Sequence, residues 1–204
     1  MSIERDIITV QRFYTQQSSP LGLKLLAGAN GLKRVIREPT VNRPGLALAG
    51  FTHYFASKRV QVIGSAESTF LKSLSKEERA QRYQDLFKFR IPCVVFCRNI
   101  HPDRQFLKAA EHADIPIFQS EFITMKFINL ATLALEMMFA PRGSEMGSMV
   151  DILGVGVIIR GESGIGKSES VLALIERGYS LVSDDITSRP SKRVTRVMSS
   201  ETRL

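Results

Sequence analysis

The chain has 204 residues, of which 44% are hydrophobic, and its formal net charge is +8. This length and composition support one or two domains with real hydrophobic cores, and no apolar run is long enough to span a membrane. The N-terminal residues lack the basic and then apolar order of a secretory signal peptide, so we expect a cytoplasmic protein without membrane contact.

Half of the excess positive charge lies in the last sixteen residues, where five basic residues and one acidic residue give a net charge of +4. This stretch has no aromatic residue to stack on nucleic-acid bases, and its Ser, Thr and Arg content is typical of disorder. A basic tail alone supplies only non-specific attraction to phosphates. We therefore predict a disordered basic tail over residues 188–204 and no specific nucleic-acid binding.

The first region alternates strand and helix signals. Ser75 and Glu78 form a capping box that begins a helix. Strands are predicted at 23–26, 60–63, 91–97 and 115–118, and helices at 76–87, 103–112 and 124–138. This alternation favours a parallel α/β layer, which predicts an N-terminal α/β domain over residues 1–140.

One loop of this domain is a candidate anion site. In Asn42-Arg43-Pro44-Gly45, proline restricts one backbone angle and glycine frees the next, so a rigid turn would present Arg43 to an anion. The alternative is a turn that starts a helix at Leu46. Both interpretations remain open from the sequence.

Other polar and sulfur-containing residues of the region do not indicate a metal site. Cys93 and Cys97 lie on one face of a predicted strand, too far apart for a disulfide, and we interpret them as buried thiols. The three histidines have no metal-ligand or catalytic spacing, so we interpret them as surface or packing residues: His53, His101 and His112.

The most informative pattern is a complete G-x-x-x-x-G-K-S phosphate loop, which follows a linker predicted over 141–149. A predicted strand at 155–159 precedes it and a predicted helix at 168–177 follows it, the setting that such a loop requires. Main-chain amides and the helix N-terminus would bind phosphate, Lys167 would contact the β and γ phosphates, and the Ser168 hydroxyl would bind Mg²⁺. The predicted nucleotide-binding residues are Gly161, Glu162, Ser163, Gly164, Ile165, Gly166, Lys167 and Ser168.

Two carboxylates follow the next predicted strand. A βαβ unit returns that strand to the same sheet, so Asp184 and Asp185 should face the loop. One would hold Mg²⁺ and the other would accept a proton from an attacking hydroxyl. Residues 150–187 are therefore predicted to be part of a P-loop kinase domain.

These residues carry a family resemblance. The loop with Glu169, then Glu176-Arg177-Gly178-Tyr179 and the Asp pair, resembles HPr kinase/phosphorylase, and so does the segment 42–48 of the first region. The resemblance covers about residues 5 to 188. That family phosphorylates and dephosphorylates a serine of the phosphocarrier protein HPr, which regulates carbohydrate metabolism, and its first domain resembles the substrate-binding domain of Mur ligases.

The resemblance implies an ATP- and Mg²⁺-dependent protein serine kinase that is a homo-oligomer, a hexamer, at full length. It implies catalytic roles for Lys167, Asp184 and Asp185, with Asp185 moving the proton. It also implies metal ligation by Ser168, Asp184 and Glu169.

Two departures from the family pattern affect this expectation. Met146 stands where the family usually has a histidine, and a thioether cannot shuttle a proton. The chain also ends soon after Asp185, whereas family members continue, so we expect weak or no transfer to HPr by this form. A non-catalytic nucleotide-binding or regulatory module and a different small-molecule kinase or GTPase are the alternatives.

Overall fold

The computed structural model describes the backbone of residues 3–4, 7–140, 142–183, 186–190 and 198–199, and the side chains of residues 7–140 and 147–183. The chain divides into two compact units. The larger unit is Ile7–Phe139, and the smaller one combines Met1–Asp6 with Ala140–Leu204. The fold is a mixed α/β structure.

The helices and strands are numbered here in chain order. The helices are α1 (Val10–Gln17), α2 (Gly45–Leu48), α3 (Ser65–Ser73), α4 (Lys76–Lys88), α5 (Arg104–His112), α6 (Thr124–Phe139) and α7 (Lys167–Glu176), with a 3-10 helix at Ala29–Lys33. The strands are β1 (Ile3–Glu4), β2 (Ile8–Thr9), β3 (Leu23–Ala27), β4 (Val35–Ile36), β5 (Val41–Asn42), β6 (Val60–Ile63), β7 (Val94–Phe96), β8 (Ile117–Ser120), β9 (Arg142–Met146), β10 (Ser148–Ile152), β11 (Val155–Arg160), β12 (Ser180–Ser183), β13 (Ile186–Pro190) and β14 (Met198–Ser199).

A five-stranded sheet organises the larger unit, in the order β3-β8-β7-β6-β5. Neighbours among β5, β6, β7 and β8 are parallel, as the alternating pattern predicted. The edge strand β3 is antiparallel to β8. A separate two-stranded antiparallel sheet pairs β2 with β4.

Each face of this sheet covers a separate hydrophobic core, because successive strand side chains point to opposite faces. Val62, Val95 and Phe118 pack on one face with residues of α1 and α6. Ile63 and Phe96 pack on the other face with residues of α4 and α5. The larger unit is therefore a three-layer α/β structure whose sheet is buried on both sides.

Two predicted strands of this unit have clearly different bounds in the structure, and helix α3 was not predicted. Residues 91–97 form a strand only at Val94–Phe96, because Pro92 has no N–H to donate to a neighbouring strand. The strand predicted at 115–118 runs instead from Ile117 to Ser120. Helix α3 was not predicted, because its buried Glu67 interrupts the apolar pattern.

In the smaller unit, a four-stranded sheet has the order β12-β10-β11-β14. Strands β11 and β12 are both antiparallel to β10, so they run in the same direction with β10 between them. Helix α7 connects them, which makes the predicted βαβ unit. A second sheet has the order β1-β9-β13 and is antiparallel.

Strand β9 and the start of β10 lie within residues 141–149, where a linker is predicted from the sequence. Gly147 separates them with φ +153, and a Cβ at this position would lie 2.7 Å from the Ile159 carbonyl oxygen. Within the tail expected to be disordered, the end of β13 pairs with β9 and all of β14 pairs with β11. The rest of that tail lies outside the described residues.

Candidate phosphate-binding site

The G-x-x-x-x-G-K-S segment connects the end of β11 to the start of α7, the predicted setting. Gly164 and Gly166 have left-handed backbone conformations, with φ of +84 and +91. A Cβ at Gly161 would lie 2.7 Å from Cγ2 of Ile165, so the loop folds closely over itself there. Glycine is therefore required at these positions by backbone conformation or by close approach.

The loop ends at an uncapped helix N-terminus. Gly166 is the N-cap of α7, and no side chain of the described residues caps it. The first amides of a helix lack intrahelical acceptors and carry the positive end of the helix dipole. The start of α7 is therefore suited to binding an anion through its backbone.

Lys167, the first residue of α7, turns its ammonium group back onto the loop. Its Nζ donates hydrogen bonds to the carbonyl oxygens of Gly161 at 2.7 Å and Glu162 at 2.6 Å. Both acceptors are neutral, and no ion pair with Lys167 occurs among the residues that the structure describes. Its positive charge thus lies at the loop, and none of the described carboxylates pairs with it.

The candidate metal ligands are only partly within the described residues. Ser168 and Glu169 lie exposed in the first turn of α7, where their oxygens are accessible. Asp184 and Asp185 lie outside the described residues, so their predicted roles remain predictions. Strand β12 precedes them. Its carboxyl end lies at the same end of the sheet as that of β11, the strand that leads into the loop. The described residues contain no cluster of three or more potential metal ligands.

The segment before the loop forms a tight hairpin. Leu153 and Gly154 both have positive φ, the conformation of a two-residue turn between β10 and β11. The Asp151 carboxylate accepts a hydrogen bond from the Gly154 amide at 2.7 Å, so it stabilises this turn. Met146 lies in β9, and its side chain is outside the described set.

The candidate anion loop of the larger unit has a different role in the structure. Arg43 donates two hydrogen bonds of 2.9 Å to the carboxylate of Glu67, and α2 begins two residues later at Gly45. Burial opposes ionisation of Glu67, but hydrogen bonds from Arg43 and from backbone amides outweigh it and lower its pKa. Arg43 therefore neutralises an internal carboxylate, and the helix-starting turn is the interpretation that the structure favours.

The thiols and histidines agree with their predicted roles. Cys93 and Cys97 are free and buried, and burial raises the pKa of both thiols, that of Cys97 to about 12. The three histidines are exposed: His53, His101 and His112. Sequence reasoning assigned no role to His101, which lines a cleft described below.

No helix among the described residues has the length and hydropathy needed to cross a bilayer.

Comparison with known proteins gives two family matches. The family described as HPr Serine kinase N terminus matches residues 8–135, and the HPr Serine kinase C-terminal domain matches residues 137–203. The second match corrects the expectation that the resemblance ends near residue 188. The Ser- and Arg-rich composition of the tail concealed that similarity.

Three curated relatives are each named HPr kinase/phosphorylase. The protein of Chloroherpeton thalassium is 43% identical over 99% of this chain and 60% of its own length. That of Clostridium perfringens is 47% identical over 71% of this chain and 47% of its own length. That of Leptospira biflexa is 39% identical over 81% of this chain and 52% of its own length. The chain thus spans about half of the length of these relatives.

A solved structure of the CBS and DRTGG domains of the regulatory region of a Clostridium perfringens pyrophosphatase is also similar, with a TM-score of 0.44 and 8% identity. The alignment covers 62% of this chain and 50% of that one. This similarity is too weak to carry an argument about fold or function.

Proposed function

The chain belongs to the HPr serine kinase family, and on that premise we propose that it phosphorylates and dephosphorylates a serine of the phosphocarrier protein HPr. The observation that carries the proposal is the phosphate loop, where Lys167 forms no ion pair with any described residue and lies at the start of α7, which no described side chain caps. ATP is the proposed phosphoryl donor. The alternative, a nucleotide-binding or regulatory module without turnover, uses the same loop.

The described side chains fit a nucleotide with Mg²⁺. Ser168 and Glu169 present hard oxygen donors at the start of α7, and we propose that they hold the ion together with Asp184. Bound Mg²⁺ would neutralise phosphate charge. Lys167 and the first amides of α7 would stabilise the charge that develops on the transferred phosphoryl group.

In the proposed chemistry, Asp185 acts as the general base towards the HPr serine hydroxyl and as the general acid in the opposite direction. In the forward direction, its carboxylate takes the proton of the HPr serine hydroxyl while the serine oxygen forms a bond to the γ phosphorus. The bond from that phosphorus to the bridging oxygen breaks, and ADP leaves. In the reverse direction, inorganic phosphate attacks the phosphoserine phosphorus, Asp185 returns the proton to the serine oxygen, and pyrophosphate is released.

The family resemblance supports four further proposals, about the two units, the location in the cell and the oligomeric state. We propose that the larger unit resembles the substrate-binding domain of Mur ligases and that the smaller unit is part of a P-loop kinase domain. We also propose a cytoplasmic location and a homo-oligomer, a hexamer at full length. We further propose that the N-terminal α/β domain ends near residue 140.

A transfer assay tests the proposed function. Purified chain, HPr, ATP and Mg²⁺ are incubated, and phosphoserine on HPr is measured by intact mass. We expect weak but measurable transfer by the wild type and an equal rate in Arg177→Ala, which removes the same charge at the far end of α7. Lys167→Ala and Asp185→Asn should each reduce the rate by about 100-fold or more.

The outcomes separate the candidate functions. Transfer that is unchanged in both Lys167→Ala and Asp185→Asn would contradict the assigned site. Lys167-dependent ATP binding without transfer to HPr would favour the non-catalytic nucleotide-binding module.

A further inference from the structure

A cleft of about 100 Å³ lies in the larger unit at the carboxyl end of β7. It contains no residue of the phosphate loop. Leu71 of α3, Phe96 of β7 and Phe106 of α5 give it an apolar lining, and all three side chains are buried. In sheets of parallel strands, ligands bind at the carboxyl ends of the strands, and small-molecule sites combine apolar walls with a few polar groups.

One wall of the cleft is a hydrogen-bonded network around Asp103. Tyr83 and Arg79, one turn apart on α4, donate to its Oδ2 atom at 2.8 and 3.2 Å. Its Oδ1 atom accepts the Phe106 amide at 2.8 Å, because Asp103 is the N-cap of α5. Asp103, the only carboxylate among the described residues that line the cleft, is therefore already neutralised and positions its neighbours.

A lysine ammonium group and an imidazole also line the cleft. Lys72 lines it from α3 and is exposed, with no ion pair to any carboxylate of the described residues. His101 lines it from the loop between β7 and α5. Arg79 lines it from α4, where two of its N–H groups donate to Asp103 and to the Leu74 carbonyl oxygen. A guanidinium carries five N–H donors, so others remain for a ligand.

We propose that this cleft binds a small organic oxyanion, a carboxylate or a phosphate monoester. The oxyanion contacts Lys72, His101 and Arg79, the Ser68 hydroxyl supplies a further donor, and the carbon part of the ligand packs on the phenyl rings of Phe96 and Phe106. Every group in this site belongs to the larger unit. The site is thus independent of the proposed kinase activity, and a failure of one proposal would not contradict the other.

The test uses two probes, inorganic phosphate and butyrate, each titrated into the full chain while backbone amide shifts are recorded by NMR. Shifts at Ser68 and His101 report on the cleft, whereas shifts at Gly164 and Gly166 report on the phosphate loop. We expect saturable shifts at the cleft amides with at least one probe, and the probe that binds identifies the ligand as phosphate or carboxylate.

Lys72→Gln should weaken binding at the cleft by about tenfold, the loss expected for one charge-assisted contact. Lys108→Gln, an exposed lysine of α5 that does not line the cleft, is the matched control and should leave the affinity unchanged. His101→Gln is a second variant in the site and should also weaken binding. The proposal is overturned if neither probe shifts the cleft amides, or if Lys72→Gln and Lys108→Gln lower the affinity equally.

Discussion

Replacement of Arg43 by Gln removes the charged partner of a buried carboxylate. Glu67 is 5% exposed, and Arg43 is 46% exposed and donates two hydrogen bonds of 2.9 Å to it. In Arg43→Gln, the Glu67 carboxylate keeps the Gly64 amide at 3.0 Å but loses its counter-charge. Breaking a fully buried pair in this way costs about 3–5 kcal/mol. Because water screens the exposed arginine, we expect about 2 kcal/mol here.

The reciprocal change, Glu67→Gln, should cost less, about 1 kcal/mol. Its amide oxygen can still accept the Gly64 amide, and Arg43 can turn towards water. Both variants are compared by native-state hydrogen exchange at strand amides such as Val62 and Val95, which report on the larger unit without contribution from the smaller one. The reasoning is refuted if Arg43→Gln changes the opening free energy by less than about 0.5 kcal/mol, or if Glu67→Gln is the more destabilising change.

The pH dependence gives a second check on the same pair. The pKa of Glu67 lies below its ordinary value of 4.5, so its ionisation stabilises the fold above that value. This stabilisation is lost as the pH falls through the lowered pKa of the folded state. The difference between wild type and Arg43→Gln should therefore be full near neutral pH and shrink in acid. A difference that is constant with pH would contradict the ion-pair explanation.

Two other predictions concern the larger unit. Ser75→Ala should destabilise α4 by about 1 kcal/mol, because Ser75 and Glu78 cap the helix reciprocally with hydrogen bonds of 3.2 and 2.9 Å, and amide exchange near residue 78 measures this. An unchanged exchange rate would count against the capping box. Cys93 and Cys97 should not react with a thiol reagent at pH 8 until the unit unfolds, because burial raises both pKa values and keeps the thiols protonated. Rapid modification of the folded chain would contradict their burial.

Local signals explain which elements were predictable from the sequence. Helix α4 begins after Ser75 because its capping box lies within four residues, and α5 begins after Asp103, whose carboxylate caps it. The signal for the phosphate loop also lies within one short segment. Its glycines and Lys167 directly follow the strand and begin the helix that position them. Such features need no information from distant parts of the chain.

Features that depend on distant residues were missed. Strand β9 has no alternating pattern of its own and forms by pairing with β1 and β13, which are far away in sequence. The pairing of Arg43 with Glu67 spans 24 residues, so the sequence left the role of Arg43 open. The cleft beside β7 is likewise built from α3, α4 and a loop that only the fold brings together.

The central claim is that residues 161–168 bind the phosphates of a nucleotide. Titration calorimetry of the full chain with ATP and Mg²⁺ tests it most directly, with Lys167→Ala, Ser168→Ala and the control Arg177→Ala measured under the same conditions. We predict saturable binding by the wild type and the control, a loss of about tenfold or more in Lys167→Ala, and weaker Mg²⁺-dependent binding in Ser168→Ala. Equal ATP affinity in the wild type and Lys167→Ala would contradict the claim.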